Sequence, residues 1–136
     1  MGMDVDRFRK QMDFIIEIDR LKQVFRQTYL MDATRKENDA EHSWHLAVMA
    51  VLLAEYSNHP GLDLARVLTL VLIHDIVEID AGDAYCYDEG AQAGKLAREM
   101  MAAQRVFGLL PDDQAERMRA LWNEFEAGET PEARFA

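Results

Sequence analysis

The chain has 136 residues, enough to bury one core without disulfide support, so a single domain is expected. Its composition, 49% hydrophobic and 29% charged, excludes a disordered chain, and its net charge of −10 excludes a DNA or RNA polymer as the expected partner, though not a small phosphorylated molecule held by local positive groups. With Cys86 as the only cysteine, no intramolecular disulfide or four-sulfur zinc site can form, a reducing cytoplasm is the natural compartment, and no apolar run is long enough to give a membrane span.

In chain order, Phe8, Met12, Ile15, Ile18, Leu21 and Phe25 recur every three or four positions and predict a helix from about Asp4 to Gln27. Leu30 to Asn38 loses that period, gathers charged residues and reads as a polar connection. A second helix is expected from Ala40 to Tyr56, with Leu46, Met49, Ala50, Leu53 and Ala54 as its apolar stripe. Asp63 can cap the next helix, whose run Val67–Ile73 is apolar nearly all round and therefore central. A strand competes for so β-branched a stretch, but its context from Leu64 to Ile79 is too long for one.

Ala81 to Gly90 has no regular period and reads as a loop. Ala91–Phe107 and Asp112–Glu126 are again helical, with Pro111 suited to a first turn and Gly128 to a stop. Thr130-Pro131-Glu132 is a helix-start signature close to the last residue, Ala136. Either this short piece docks on the bundle or the sequence is a truncated version of a longer domain, and truncation is the favoured reading. The fold class expected is all-α, a bundle of about five to six helices with no strand.

His74-Asp75 stands near the end of the most apolar segment, where an ionisable pair is costly to bury without a partner or a metal. An imidazole nitrogen and a carboxylate oxygen are both good ligands for a divalent cation. A second histidine, His42, opens the preceding helix, and two antiparallel helices could bring it to His74. Glu78 follows His74 by four and Asp75 by three, so on a continuing helix it shares their face. It is either a general acid/base or a solvated charge at a helix end. Arg26 is either a phosphate ligand, through two parallel hydrogen bonds, or an ordinary surface residue. His45 is read as a non-ligand packing near Trp44, and His59 as exposed.

A lone histidine, roughly thirty intervening residues and then His-Asp in an aliphatic helix resembles the HD superfamily of metal-dependent phosphohydrolases. Leu21-Lys22 with Arg26, Arg35-Lys36-Glu37-Asn38 with Glu41-His42-Ser43, and His74-Asp75 with Glu78, Gly82 and Asp83 look like its 5′-deoxynucleotidase branch. The resemblance implies one divalent cation, of Mn, Co, Fe, Ni, Zn or Mg, held by His42, His74 and Asp75. It also implies Glu78 as general acid/base and Arg26 as the substrate's phosphate ligand. Asp83 matches an active-site aspartate of the family, while an aspartate after glycine is equally a turn residue. The family's fourth ligand, an aspartate in the C-terminal helix, has no match here, since the segment from Thr130 to Ala136 contains none.

The expected reaction is hydrolysis of a phosphomonoester, such as a nucleoside 5′-monophosphate, by a metal-activated water. The nucleotidases carry a tryptophan directly after the matching arginine, where this chain has Gln27, so their choice between deoxyribose and ribose does not carry over. A homodimer is also implied. Two other classes compete with the enzyme: a non-catalytic metal-binding HD module acting through a partner or as a dimer, and a plain helical interaction domain.

Overall fold

The most apolar stretch of the chain lies at the centre of the molecule. The structure, a computed structural model, describes the backbone of residues 4–82 and 89–136 and the side chains of 4–82 and 94–136. Helix α3 (Leu64–Ile73) buries Val67, Leu70, Val71 and Ile73, and Asp63 caps it by accepting a hydrogen bond from the Arg66 amide at 3.1 Å. Against α3 pack α2 (Asp39–Leu53), α6 (Asp112–Ala127) and the short α7 (Pro131–Phe135). Helices α1 (Val5–Ile18) and α5 (Glu89–Phe107) pack on each other and close the bundle, and the single turn α4 (Glu78–Ala81) packs against α5. The larger core cluster gathers Leu21, Leu70, Ile73, Val106, Phe107 and Trp122, and a smaller one, Ala50, Val67 and Val71, lies between α2 and α3. Five helices have ten residues or more, so the all-α bundle expected from periodicity is what forms. No helix among the described residues is long and apolar enough to cross a membrane.

Two boundaries differ from the sequence reading, and both matter for the site. The first helix stops at Ile18, passes through a 3-10 turn over Asp19–Gln23, and gives way to strand β1 (Phe25–Tyr29). This strand pairs antiparallel with β2 (Lys36–Asn38), with Phe25 opposite Asn38 and Tyr29 opposite Lys36. Phe25, counted above in the helical stripe, is 54% exposed, whereas Leu21 is buried by the 3-10 turn. Aromatic residues and threonine favour a pleated surface, and Arg26-Gln27-Thr28 offers a continued helix nothing to bury.

The second difference follows α3, which ends at Ile73 instead of running to Ile79. Beyond it the amides of Ile76, Glu78, Ile79 and Asp80 each bond to a carbonyl three residues back. Residues three apart are eclipsed in such a tight turn.

The last residues dock. The Thr130 hydroxyl accepts from the Ala133 amide at 3.1 Å, Pro131 takes the first helical position, and Ala133 is buried. Phe135 and Ala136 pack against the cluster between α2 and α3.

Candidate metal centre

The start of α2 is held by a reciprocal capping box. Asn38 accepts from the Glu41 amide at 2.9 Å, and Glu41 accepts from the Asn38 amide at 3.0 Å. The Arg35 guanidinium also binds Glu41, and chiefly for that reason the Glu41 carboxyl is held down at about 2. One turn into this fixed end stands His42. Its Nδ1 lies 3.2 Å from Glu37 Oε1, which leaves Nε2 as the nitrogen able to ligate.

His74 closes α3 as its C-cap, with its ring stacked on Phe125 of α6 at 4.5 Å. His74 Nδ1 donates to the Val71 carbonyl at 2.5 Å, and Nε2 lies 3.1 Å from Asp75 Oδ1. Both histidines are therefore oriented by a second partner on Nδ1, as metal-binding imidazoles are. One donor atom from each of His42, His74 and Asp75 lies within 4.8 Å of the other two. A cation with donors at about 2.1 Å bridges nearly that span.

The chemistry of these donors fits a divalent metal. Asp75 is 6% exposed, and its Oδ2 is buried without accepting a hydrogen bond. Burial is the main cause that pushes the Asp75 carboxyl above the ordinary aspartate range, an effect that a cation would oppose. Burial first, and then the nearby Arg26 charge, pushes the His42 imidazole down, which favours the neutral form that ligates.

Arg26 reaches the same place from β1. Its Nη1 is 3.7 Å from Asp75 Oδ2 and its Nε 3.8 Å from Glu37 Oε1, with the side chain 23% exposed. Glu78 sits in the tight turn above Asp75, and donor atoms of Asp39, Asp75 and Glu78 form a second group within 4.8 Å of one another. Asp83 lies outside the described residues. His45 is exposed with its ring 6.2 Å from that of Trp44, and it belongs to neither metal-capable group. His59 is exposed as expected.

Three neighbours of the centre have no site role in the sequence reading. Glu37 reaches His42 only through the hairpin, so no helical spacing announces it. Asp39 occupies the first helical position, where an acidic residue is ordinarily explained by the helix dipole, yet it has no exposed surface. Phe125 of α6 packs against the larger core cluster, and its ring also carries His74.

A family model for the HD domain matches residues 18–136. The chain belongs to the HD domain family. Among curated HD relatives, the 5′-deoxynucleotidase HDDC2 of Homo sapiens is 30% identical over 128 residues, covering 93% of this chain and 61% of that protein. The Xenopus laevis 5′-deoxynucleotidase HDDC2 is 31% identical over 125 residues, covering 91% and 60%. A crystal structure of a predicted metal-dependent phosphohydrolase from Magnetospirillum magnetotacticum MS-1 superposes with a TM-score of 0.88 at 55% identity, covering 95% of this chain and 65% of that one. This HD chain thus spans about 60% of the length of the curated relatives it matches.

Proposed function

We propose that this HD domain is a metal-dependent phosphohydrolase acting on a phosphomonoester of the nucleotide class, such as a nucleoside 5′-monophosphate. One observation carries the reading: the donors of His42, His74 and Asp75 converge at a place that Arg26 and Glu78 also reach. The 5′-deoxynucleotidase relatives and the phosphohydrolase structure support the substrate class.

A divalent cation held by His42, His74 and Asp75, whether Mn, Fe, Co, Ni, Zn or Mg, would lower the pKa of water and polarise a phosphoryl oxygen. Arg26 supplies the phosphate-binding fork. Its contacts of 3.7 and 3.8 Å to Asp75 and Glu37 are longer than a charge-assisted hydrogen bond of about 2.8 Å, so its donors can turn to a phosphate. Glu78 takes the proton of the attacking water and returns one to the departing alcohol. Asp83 is retained as a second carboxylate of the reaction. Gln27 follows Arg26 on β1 with its side chain exposed and is the residue that would meet the sugar.

The same proposal takes residues 1–136 as one HD domain short of its C-terminal part, in keeping with the 61% coverage of the human relative. A longer form of the chain, or water, would then supply the fourth ligand. A cytoplasmic homodimer is included: Trp44, Val48, Val51 and Leu52 lie along one exposed side of α2, an apolar surface that a second copy would cover. A metal-binding HD module without turnover is the second reading.

The test is phosphate release from a panel of nucleoside monophosphates with each metal, before and after chelation. Metal-dependent release is expected, and Glu78→Gln should keep the metal while lowering turnover by about 10²-fold or more. Release that is indifferent to chelation would sink the proposal. Metal binding without release, also in a form extended past Ala136, would establish the second reading.

A further inference from the structure

Glu78 opens a turn that has little of its own to hold it. Helix α4 is four residues long, has no side-chain N-cap, buries none of its residues fully and gives way to Gly82 at a φ of 74°. One turn is too short to persist by its own hydrogen bonds. Ile79 and Ala81 give it a partly buried footing on the larger core cluster. A further anchor is ionic. Arg105 of α5 donates from Nε to Asp80 Oδ2 at 2.5 Å and from Nη2 to Asp80 Oδ1 at 2.8 Å. Arg105 Nη2 also lies 3.4 Å from Glu17 Oε1, so the same guanidinium ties α4 to both α5 and α1. The base of Arg105 is firm, since Val106 and Phe107 next to it have no exposed surface.

We infer that Arg105 is a positioning residue for Glu78, acting through Asp80. The inference rests on the proposed function, in which Glu78 handles the proton. Asp80 follows Glu78 by two, about 200° around a helical turn. The two carboxylates therefore leave α4 on opposite sides, Glu78 toward Asp75 and Asp80 toward α5. A fork that grips both oxygens of Asp80 fixes direction as well as distance. Held on that side, α4 resists rolling and sliding, and Glu78 keeps its place over Asp75. A displacement of about 1 Å at a reacting group can cost about 10²-fold in rate, so even a small movement of this turn matters. The contribution to overall stability is small, because Arg105 is 43% exposed and solvent screens the pair. Loss of the fork should therefore show in the placing of Glu78 and not in the folding of the chain.

Arg105→Ala and Asp80→Asn, singly and together, are compared with the wild type in hydrolysis of a nucleoside 5′-monophosphate with saturating Mn²⁺ and in amide exchange. Each single variant should lower kcat about ten-fold while KM, the Kd for Mn²⁺ and circular dichroism stay as in the wild type. The double variant should lose no more than either single one, since one tether is broken in all three. The Gly82 amide, which donates to the Glu78 carbonyl at 2.8 Å, should exchange about ten-fold faster in each, a readout independent of turnover. Unchanged kcat in a folded Arg105→Ala variant overturns the inference. A fall in kcat matched by a rise in the Mn²⁺ Kd also overturns it, because that marks a general loosening of the site. Losses that multiply in the double variant overturn the route through Asp80. Absence of turnover in the wild type with every metal removes the proposed function and the role of Arg105 in it, while Gly82 exchange still decides the tether. If Arg105→Ala fails to fold, Asp80→Asn carries the same comparison from a partly exposed side chain.

Discussion

Arg26 meets the metal donors because its backbone has left the helix. On a helix continued to Gln27 it would share a face with Lys22 and Gln23; on β1 it stands within 4 Å of both Asp75 and Glu37. Its residue type and its place in the motif were legible, but the route by which it arrives was not. If its fork binds the phosphate, Arg26→Ala should raise KM for the 5′-nucleotide by about ten- to a hundred-fold, the equivalent of about 1.5–3 kcal/mol for hydrogen bonds to a charged group. Arg26→Lys should recover only part of this loss, since an ammonium keeps the charge without the planar pair of donors. Steady-state kinetics on both variants checks it, and a KM unchanged in Arg26→Ala would remove the residue from the substrate site. Asp39 and Glu37 mark the limit of reading at this scale. Each is an acidic residue in a charged stretch, and only burial and the hairpin distinguish them from solvated neighbours.

Short elements are held in place by single polar knots. Helix α7 contributes two buried or partly buried apolar contacts, too little for so short a helix to persist alone, and a network around Glu124 of α6 adds to them. Arg66 of α3 donates to Glu124 Oε1 at 2.9 Å and Oε2 at 3.1 Å from its Nε, and the Thr130 hydroxyl donates to Oε2 at 2.7 Å. Hydrogen bonding from Arg66 is the main reason that the Glu124 carboxyl is held below its ordinary value of 4.5. The unfolded chain therefore binds the proton more readily, and the stability Glu124 contributes is fully present above pH 4.5 and lost as pH falls through its lower folded value. Amide protection in α7, corrected for intrinsic exchange, should decline as pH is lowered from 4.5 in the wild type and show no such slope in Glu124→Gln. The substitution should cost less than about 1 kcal/mol at neutral pH, because Arg66 is 46% exposed and solvent screens the pair. A slope that persists in Glu124→Gln would assign the effect to another group.

Across the whole molecule, the candidate centre joins parts distant in sequence. His42 belongs to α2, His74 and Asp75 to the turn after α3, and Phe125, beneath the His74 ring, to α6. A cation bound there finds its donors together only in the folded chain, so metal binding is also folding free energy. At a metal concentration about a hundred times its Kd the gain is about 2.7 kcal/mol. Thermal unfolding should shift upward by several degrees with the preferred metal, return on chelation, and show no shift in His74→Ala. A melting temperature indifferent to metal would argue against the centre as a whole.

The amino-acid sequence alone determined the helices and the pair of motifs. Helical spacing is a local property, so Val67–Ile73 announces a central helix, and Asp63, Gly128 and Thr130 announce their ends without reference to the rest of the chain. The tertiary structure decided what depends on distant partners. Strand β1 exists because Lys36–Asn38 returns to pair with it, and a pairing partner leaves no mark on the period of the strand itself. The tight turn after Ile73 set Glu78 over Asp75, and the seating of α2 against that turn enclosed Asp39. The docking of α7 was equally undecidable, since its five residues carry a clear cap but their stability comes from α3 and α6. Spacing along one helix is written in neighbouring residues, whereas enclosure of a charge is a relation between elements that only packing creates.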